Sequence, residues 1–140
     1  MKVLIALLGG MMALGACAPR SVNATPVAAW NSFNAAMRAN RPKDAYQLLS
    51  SNTKAAMKAI ASELGQAAGG TVGDDPALLM LNPGTFPTEE GTVRPLSETG
   101  PNAEVEITTP TRTLSQKMVR EGAGWYVDAS DMFSKGRAKP

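Results

Sequence analysis

Two periodicities divide this chain. Before Pro87 the apolar residues recur at three- and four-residue steps, as they do along one face of a helix; after it they alternate with polar residues, as in a strand with one wet face. Thr25-Pro26 pairs a capping hydroxyl with a proline at the first helical position, and Val27, Trp30, Phe33 and Met37 follow as one apolar stripe. Asn31, Asn34 and Arg38 cover the opposite side, and the helix is expected to end by Asn40-Arg41, because Pro42 disfavours helical geometry in the residue before it. Pro42 opens a second short helix with Ala45, Leu48 and Leu49 inward and Tyr46 nearby. Ser50-Ser51-Asn52 breaks that helix and caps a third, whose predicted stripe is Met57, Ile60 and Leu64 and whose end is Gly69-Gly70. Asp75-Pro76 repeats the cap-plus-proline device, and Leu78, Leu79 and Leu81 predict a brief further turn of helix.

The second half predicts a meander. Residues 92–98 form a weak strand that Pro95 assigns to a sheet edge. After the turn Gly100-Pro101-Asn102, Ala103, Val105 and Ile107 alternate with Glu104, Glu106 and Thr108. Residues 112–120 form a third strand, joined through Glu121-Gly122-Ala123-Gly124 to a fourth at Trp125-Tyr126-Val127-Asp128. The third strand alternates badly, since Leu114 and Met118 share one parity and Val119 has the other; a bulge or a second buried face would explain it. Helices first and a four-stranded antiparallel meander afterwards is an α+β arrangement, with the helices packed against one curved sheet.

Composition narrows the chemistry. The 140 residues contain no histidine and one cysteine, which removes the usual general base near neutral pH, the commonest zinc ligand and any intramolecular disulfide. Fourteen basic residues face 12 acidic ones, too even a balance for a nucleic-acid partner. No loop has calcium-binding spacing, so Asp74-Asp75 and Glu89-Glu90 are assigned to capping and solvation, and no metal is expected.

The N-terminus reads as an address. Lys2 precedes an uncharged apolar run over residues 3–13, too short to span a bilayer as a mature helix, and Leu14-Gly15-Ala16-Cys17 closes it. Those four residues resemble the lipobox of bacterial lipoproteins. The resemblance implies cleavage between Ala16 and Cys17, a diacylglyceryl thioether on Cys17, and stable attachment, because two or more acyl chains hold where one does not. Ala18 is not the aspartate linked to inner-membrane retention, so the resemblance points to the periplasmic face of the outer membrane. The expected organisation is a signal peptide over 1–16, a lipidated tether over 17–25, one α+β domain over 26–130 and a basic tail over 131–140 carrying Lys135, Arg137 and Lys139.

The helix after the lipobox, the segment Ala45-Tyr46-Gln47-Leu48-Leu49-Ser50 and the closing Gly124-Trp125-Tyr126-Val127-Asp128 resemble small bacterial proteins of the nuclear-transport-factor-2-like superfamily. That resemblance implies a cone with a pocket at its mouth, and no activity, because such folds host enzymes, binders and structural modules alike. Pocket-lining candidates are Trp30, Phe33, Tyr46, Trp125, Tyr126 and Asp128. Trp30, Phe33 and Trp125 at these spacings equally make a core, and Tyr126 with Asp128 on one strand face equally meets water. Ser51-Asn52-Thr53-Lys54 fits S-x-x-K, but the companion motifs are missing and a helix cap is the preferred assignment. The leading expectation is a lipid-anchored, non-catalytic module that binds a protein or a small apolar ligand, with no cofactor beyond the covalent lipid. The alternatives are a small isomerase or hydrolyase using Asp128 and a tyrosine, and a structural accessory of an envelope assembly.

Overall fold

The Oγ1 of Thr25 accepts from the N–H of Ala28 at 3.1 Å, and Pro26 opens helix α1, Pro26–Arg38. The fold that follows is described by a computed structural model over residues 21–70 and 73–134. Ala16, Cys17 and the lysines and arginine of the C-terminal tail lie outside those residues. Helix α1 ends at Asn40, whose φ of 54° carries the chain into the left-handed region. Arg41 N–H then closes back onto Ala36 O at 2.9 Å, the Schellman arrangement with asparagine in place of the usual glycine. Pro42 starts α2, Pro42–Gln47, and Ser50 caps α3, Ser51–Ala67, by accepting from Thr53 N–H at 3.1 Å. Gly69, with φ of 65°, ends α3 in the same way.

The inward face of α3 differs from the predicted stripe. Met57 is buried, but its companions are Thr53, Ala61 and Gly65, while Ile60 is half-buried and Leu64 is 51% exposed. Small residues four apart let the helix backbone come close to its neighbours, so volume, and not hydrophobicity, selects that face. Gly65 therefore belongs to packing. A 3-10 helix follows at Pro76–Leu81, capped by Asp75 Oδ1 accepting from Ala77 N–H at 3.0 Å. Its three-residue period turns Ala77 and Met80 inward and leaves Leu78 and Leu81 exposed.

The sheet is four-stranded and antiparallel in the order β1-β2-β3-β4, with β1 Thr92–Thr99, β2 Asn102–Thr108, β3 Thr113–Glu121 and β4 Gly124–Val127. The fold is α+β, helices first and meander second. Strand β1 is an edge, and its register shifts between Pro95 and Ser97, so a bulge and a proline blunt it against further pairing. Strand β3 has neither the bulge nor the second buried face that its sequence suggested. Its register with β2 runs unbroken, Leu114, Gln116 and Met118 point to the helices, and Val119 stands on the outer face opposite Tyr126. The broken alternation comes from Gln116, an inward polar residue whose Nε2 donates to Asp128 O at 2.8 Å.

Trp30 and Phe33 of α1 pack with Leu49, Met57, Val105, Ile107, Met118, Trp125 and Val127 in one core. Phe86, on the loop before β1, closes it with its ring edge-on to Phe33 at 4.9 Å. The free edge of β4 is covered by the helical half: Val127 N–H donates to Leu48 O at 2.9 Å and Val127 O accepts from Ser50 N–H at 2.8 Å. The chain does not pass into a free tail at residue 131. Helix α4, Ser130–Ser134, follows, and Phe133 packs against the core.

The corrected face of α3 has a direct consequence. Met57→Ala is expected to cost about 2–5 kcal/mol, and Leu64→Gln to stay within about 0.5 kcal/mol of the parent, both read from urea denaturation midpoints.

Candidate functional site

Asp128 is the strongest candidate acid in the chain, and its surroundings decide what it can do. It stands just past β4, where the chain turns into α4, and faces the first turn of α3. Its Oδ1 accepts from Ser130 Oγ at 2.8 Å and from Ser130 N–H, Ser50 Oγ and Thr53 Oγ1 at 3.2 Å each. Thr53 Oγ1 also accepts from Ala129 N–H at 2.9 Å and lies 2.8 Å from Ser50 Oγ. The carboxylate thus sits where the N-terminus of α3 presents its partial positive charge, and it ties that end to the start of α4. Burial works to raise the Asp128 pKa, but the hydrogen bonds from Ser130, Ser50 and Thr53 outweigh it and hold the carboxyl below its usual value. A carboxylate held ionised by hydrogen bonds from Ser130, Ser50 and Thr53 is a weak base. It acts here as a helix-joining cap.

Among the described residues no hydrogen bond joins it to Tyr126. Tyr126 stands opposite Val119 on the outer face of the sheet, while the Asp128 N–H still donates to Lys117 O at 3.0 Å and its carboxylate meets the first turn of α3. The cation near Tyr126 is Lys54, whose Nζ is 5.9 Å from its ring centroid and 5.8 Å from that of Tyr46, and which donates to Gln47 O at 3.1 Å. Tyr46 is half-buried; burial raises its pKa, with the negative charge of Asp75 adding to the effect, so it remains a neutral phenol. Ser51 does not meet Lys54 as an S-x-x-K nucleophile would. Its N–H and Oγ donate to the two carboxylate oxygens of Glu121, both at 2.8 Å, which adds a negative charge at the start of α3.

Trp30, Phe33 and Trp125 are core residues, with Trp30 1% and Trp125 3% exposed. The main clefts of the described residues, of about 620, 460, 270 and 190 Å³, are lined by other side chains; none of Trp30, Phe33, Tyr46, Trp125, Tyr126 or Asp128 contributes to them. The predicted constellation is therefore split into a packed interior, an outer tyrosine–lysine cluster and a half-buried hydrogen-bond hub. The hub escaped sequence reasoning because Ser50, Thr53 and Ser130 are separated by up to 80 positions. The only local signal was Asp128 standing two residues before a serine, the spacing of an Asx turn.

Three members of the acidic pairs are likewise committed elsewhere. Asp75 caps the 3-10 helix, Glu89 accepts from Thr111 Oγ1 at 2.8 Å, and Glu90 pairs with Arg38 at 3.1 Å. Among the described residues no three metal-ligating side chains converge, and no helix is long and apolar enough to cross a membrane. Comparison of the chain with family models, curated proteins and solved structures finds no match.

Two measurements test the hub. Thr53→Val keeps the shape of the side chain but strands the Ala129 N–H, and is expected to cost about 1–3 kcal/mol. Asp128→Ala is expected to destabilise by a similar amount at neutral pH. Because the folded pKa is lowered, this contribution is complete above the unfolded value of about 3.9 and is lost as pH falls through the folded one. Stability curves of parent and Asp128→Ala should therefore be separate at pH 6 and converge in strongly acidic solution.

Proposed function

We propose that this chain is a lipid-anchored module of the cell envelope, attached through Cys17 at the periplasmic face of the outer membrane, which works by binding through its exterior. The observation that carries the non-catalytic part is the commitment of Asp128. The one carboxylate positioned for acid–base work has its Oδ1 taken up by Ser50, Thr53 and Ser130, whose hydrogen bonds favour the ionised, weakly basic form. The filled interior supports the same reading, since Trp30, Phe33, Phe86 and Trp125 occupy the space that an enclosed ligand would need. A partner is then met on the surface, and an envelope protein fits an exterior site better than a small apolar ligand does. The anchor rests on the Leu14-Gly15-Ala16-Cys17 sequence and on the absence of any other cysteine. A cone of the nuclear-transport-factor-2-like kind remains the architecture proposed from the sequence resemblance.

The test is metabolic labelling with radioactive palmitate in a Gram-negative host. The parent should take up label and fractionate with outer membranes. Cys17→Ser should take up none and lose membrane association, whereas an unlabelled parent, or a Cys17→Ser chain that is processed and membrane-bound as before, removes the anchor. Crosslinking in intact cells followed by mass spectrometry should then recover a specific envelope protein with the parent and not with Cys17→Ser.

A further inference from the structure

The chain leading into α1 is not a loose connection. Residues 21–24 form a turn, with Ala24 N–H donating to Ser21 O at 3.1 Å, and the turn is fastened to the domain at two points. Trp125 N–H, on the edge of β4, donates to Asn23 O at 2.9 Å. Ser32 Oγ, on α1, donates to Val22 O at 2.9 Å. A Cβ at Gly124 would stand 2.3 Å from Asn23 Nδ2 and 2.9 Å from its Cγ, so a side chain there would have to displace the Asn23 side chain that lies over the glycine. Asn23 thus continues the hydrogen-bonded edge that Leu48 and Ser50 cover further along β4. Of the expected tether over residues 17–25, the last part is built into the fold.

This clamp has a neighbour. Val22, Ala35, Ala36 and Leu48 form the apolar part of the 460 Å³ cleft between α1 and α2, and Arg41 and Asp44, paired at 3.2 Å, stand in its lining. Val22 is 63% exposed. An apolar cleft that also carries a compensated charge pair suits the boundary between headgroups and acyl chains, where one side of a surface is greasy and the other wet.

Chain length connects the clamp to the anchor. Cys17 precedes Asn23 by six residues, so its Cα lies within about 22 Å of the clamp whatever course the intervening chain takes. The β1 edge lies three strands from β4 in the sheet, on the order of 14 Å farther across. The lead starts at the clamp, so it lies on that side whatever its course, while bringing the anchor to the β1 edge would use about two-thirds of its full extension. We propose that the Asn23 clamp fixes which face the membrane sees: the α1–α2 face, with Val22 and the apolar cleft, lies on the bilayer surface with lipid acyl chains against the cleft, and the blunted β1 edge and its loops point away. This rests on the lipid anchor at Cys17 proposed above.

The experiment uses the full lipidated chain in phosphatidylethanolamine–phosphatidylglycerol vesicles that carry nitroxide-labelled acyl chains. Gln47→Cys, in the cleft lining, and Ser97→Cys, on β1, are each labelled with a thiol-reactive fluorophore, to which a thioether at Cys17 is inert. The expected result is quenching at Gln47→Cys at least threefold stronger than at Ser97→Cys. Weakening the clamp by Ser32→Ala, or by Gly124→Val where circular dichroism shows it folded, should bring the two values together while flotation with the vesicles is unchanged. Flotation with equal quenching at both positions overturns the orientation and leaves the anchor standing. An undiminished contrast in the clamp variants overturns the role of the clamp. A chain that does not float, or whose Cys17 takes up the fluorophore, overturns the anchor and this proposal with it.

Discussion

Strand β4 is only four residues long, yet Val127 donates to Leu48 O and accepts from Ser50 N–H, so a piece of the helical half completes the sheet. An edge strand left open inside a domain would bury unpaired N–H and C=O groups, each a loss comparable to a broken hydrogen bond. Here the edge is filled by chain that comes from two places, residues 48–50 between α2 and α3 and Asn23 before α1. The helices cannot leave this arrangement without exposing β4, and β4 cannot form its outer bonds until the helices have arrived. The helical and β halves, which are separate in the sequence, become one cooperative unit at this seam.

The polar hub is the continuation of the same seam. Directly after Val127 the chain places Asp128 against Ser50 and Thr53, and Ala129 N–H against Thr53 Oγ1. Backbone pairing thus positions a carboxylate where two helix starts need an acceptor. Every lone pair used in this way is unavailable to a substrate, and the ionised form is favoured by the same donors. An aspartate beside serines and a threonine resembles a reactive cluster in a residue inventory, but its geometry is that of a structural cap.

A filled interior moves attention to how the exterior is presented. Phe86 and Phe133 close the core from a loop and from α4, so the apolar residues that remain available are on the surface, at Val22, Leu64, Leu78, Leu81, Leu96 and Met132. Under the proposed anchor at Cys17, the side that faces the bilayer would decide which surface contacts are open. The hydrogen bond from Trp125 to Asn23 would then orient the domain as well as hold the fold.

What the sequence determined alone was whatever is decided within a few residues. Thr25-Pro26, Ser50 and Asp75-Pro76 start helices because a side-chain oxygen and a fixed φ act on the next turn, and the alternation Ala103, Val105, Ile107 decides the buried face of β2 because its period is two. The edge position of β1 was equally local, since Pro95 has no N–H to give. Tertiary structure decided the rest. Which face of α3 is buried depended on the room its neighbours leave, which favoured Ala61 and Gly65 over Leu64. The inward Gln116 depended on an acceptor at Asp128 O, the fate of Asp128 on hydroxyls some 75 positions earlier, and the docking of Asn23 on the N–H of Trp125 more than a hundred residues later. Those outcomes are set by distances between atoms that only folding brings together, and no periodicity records them.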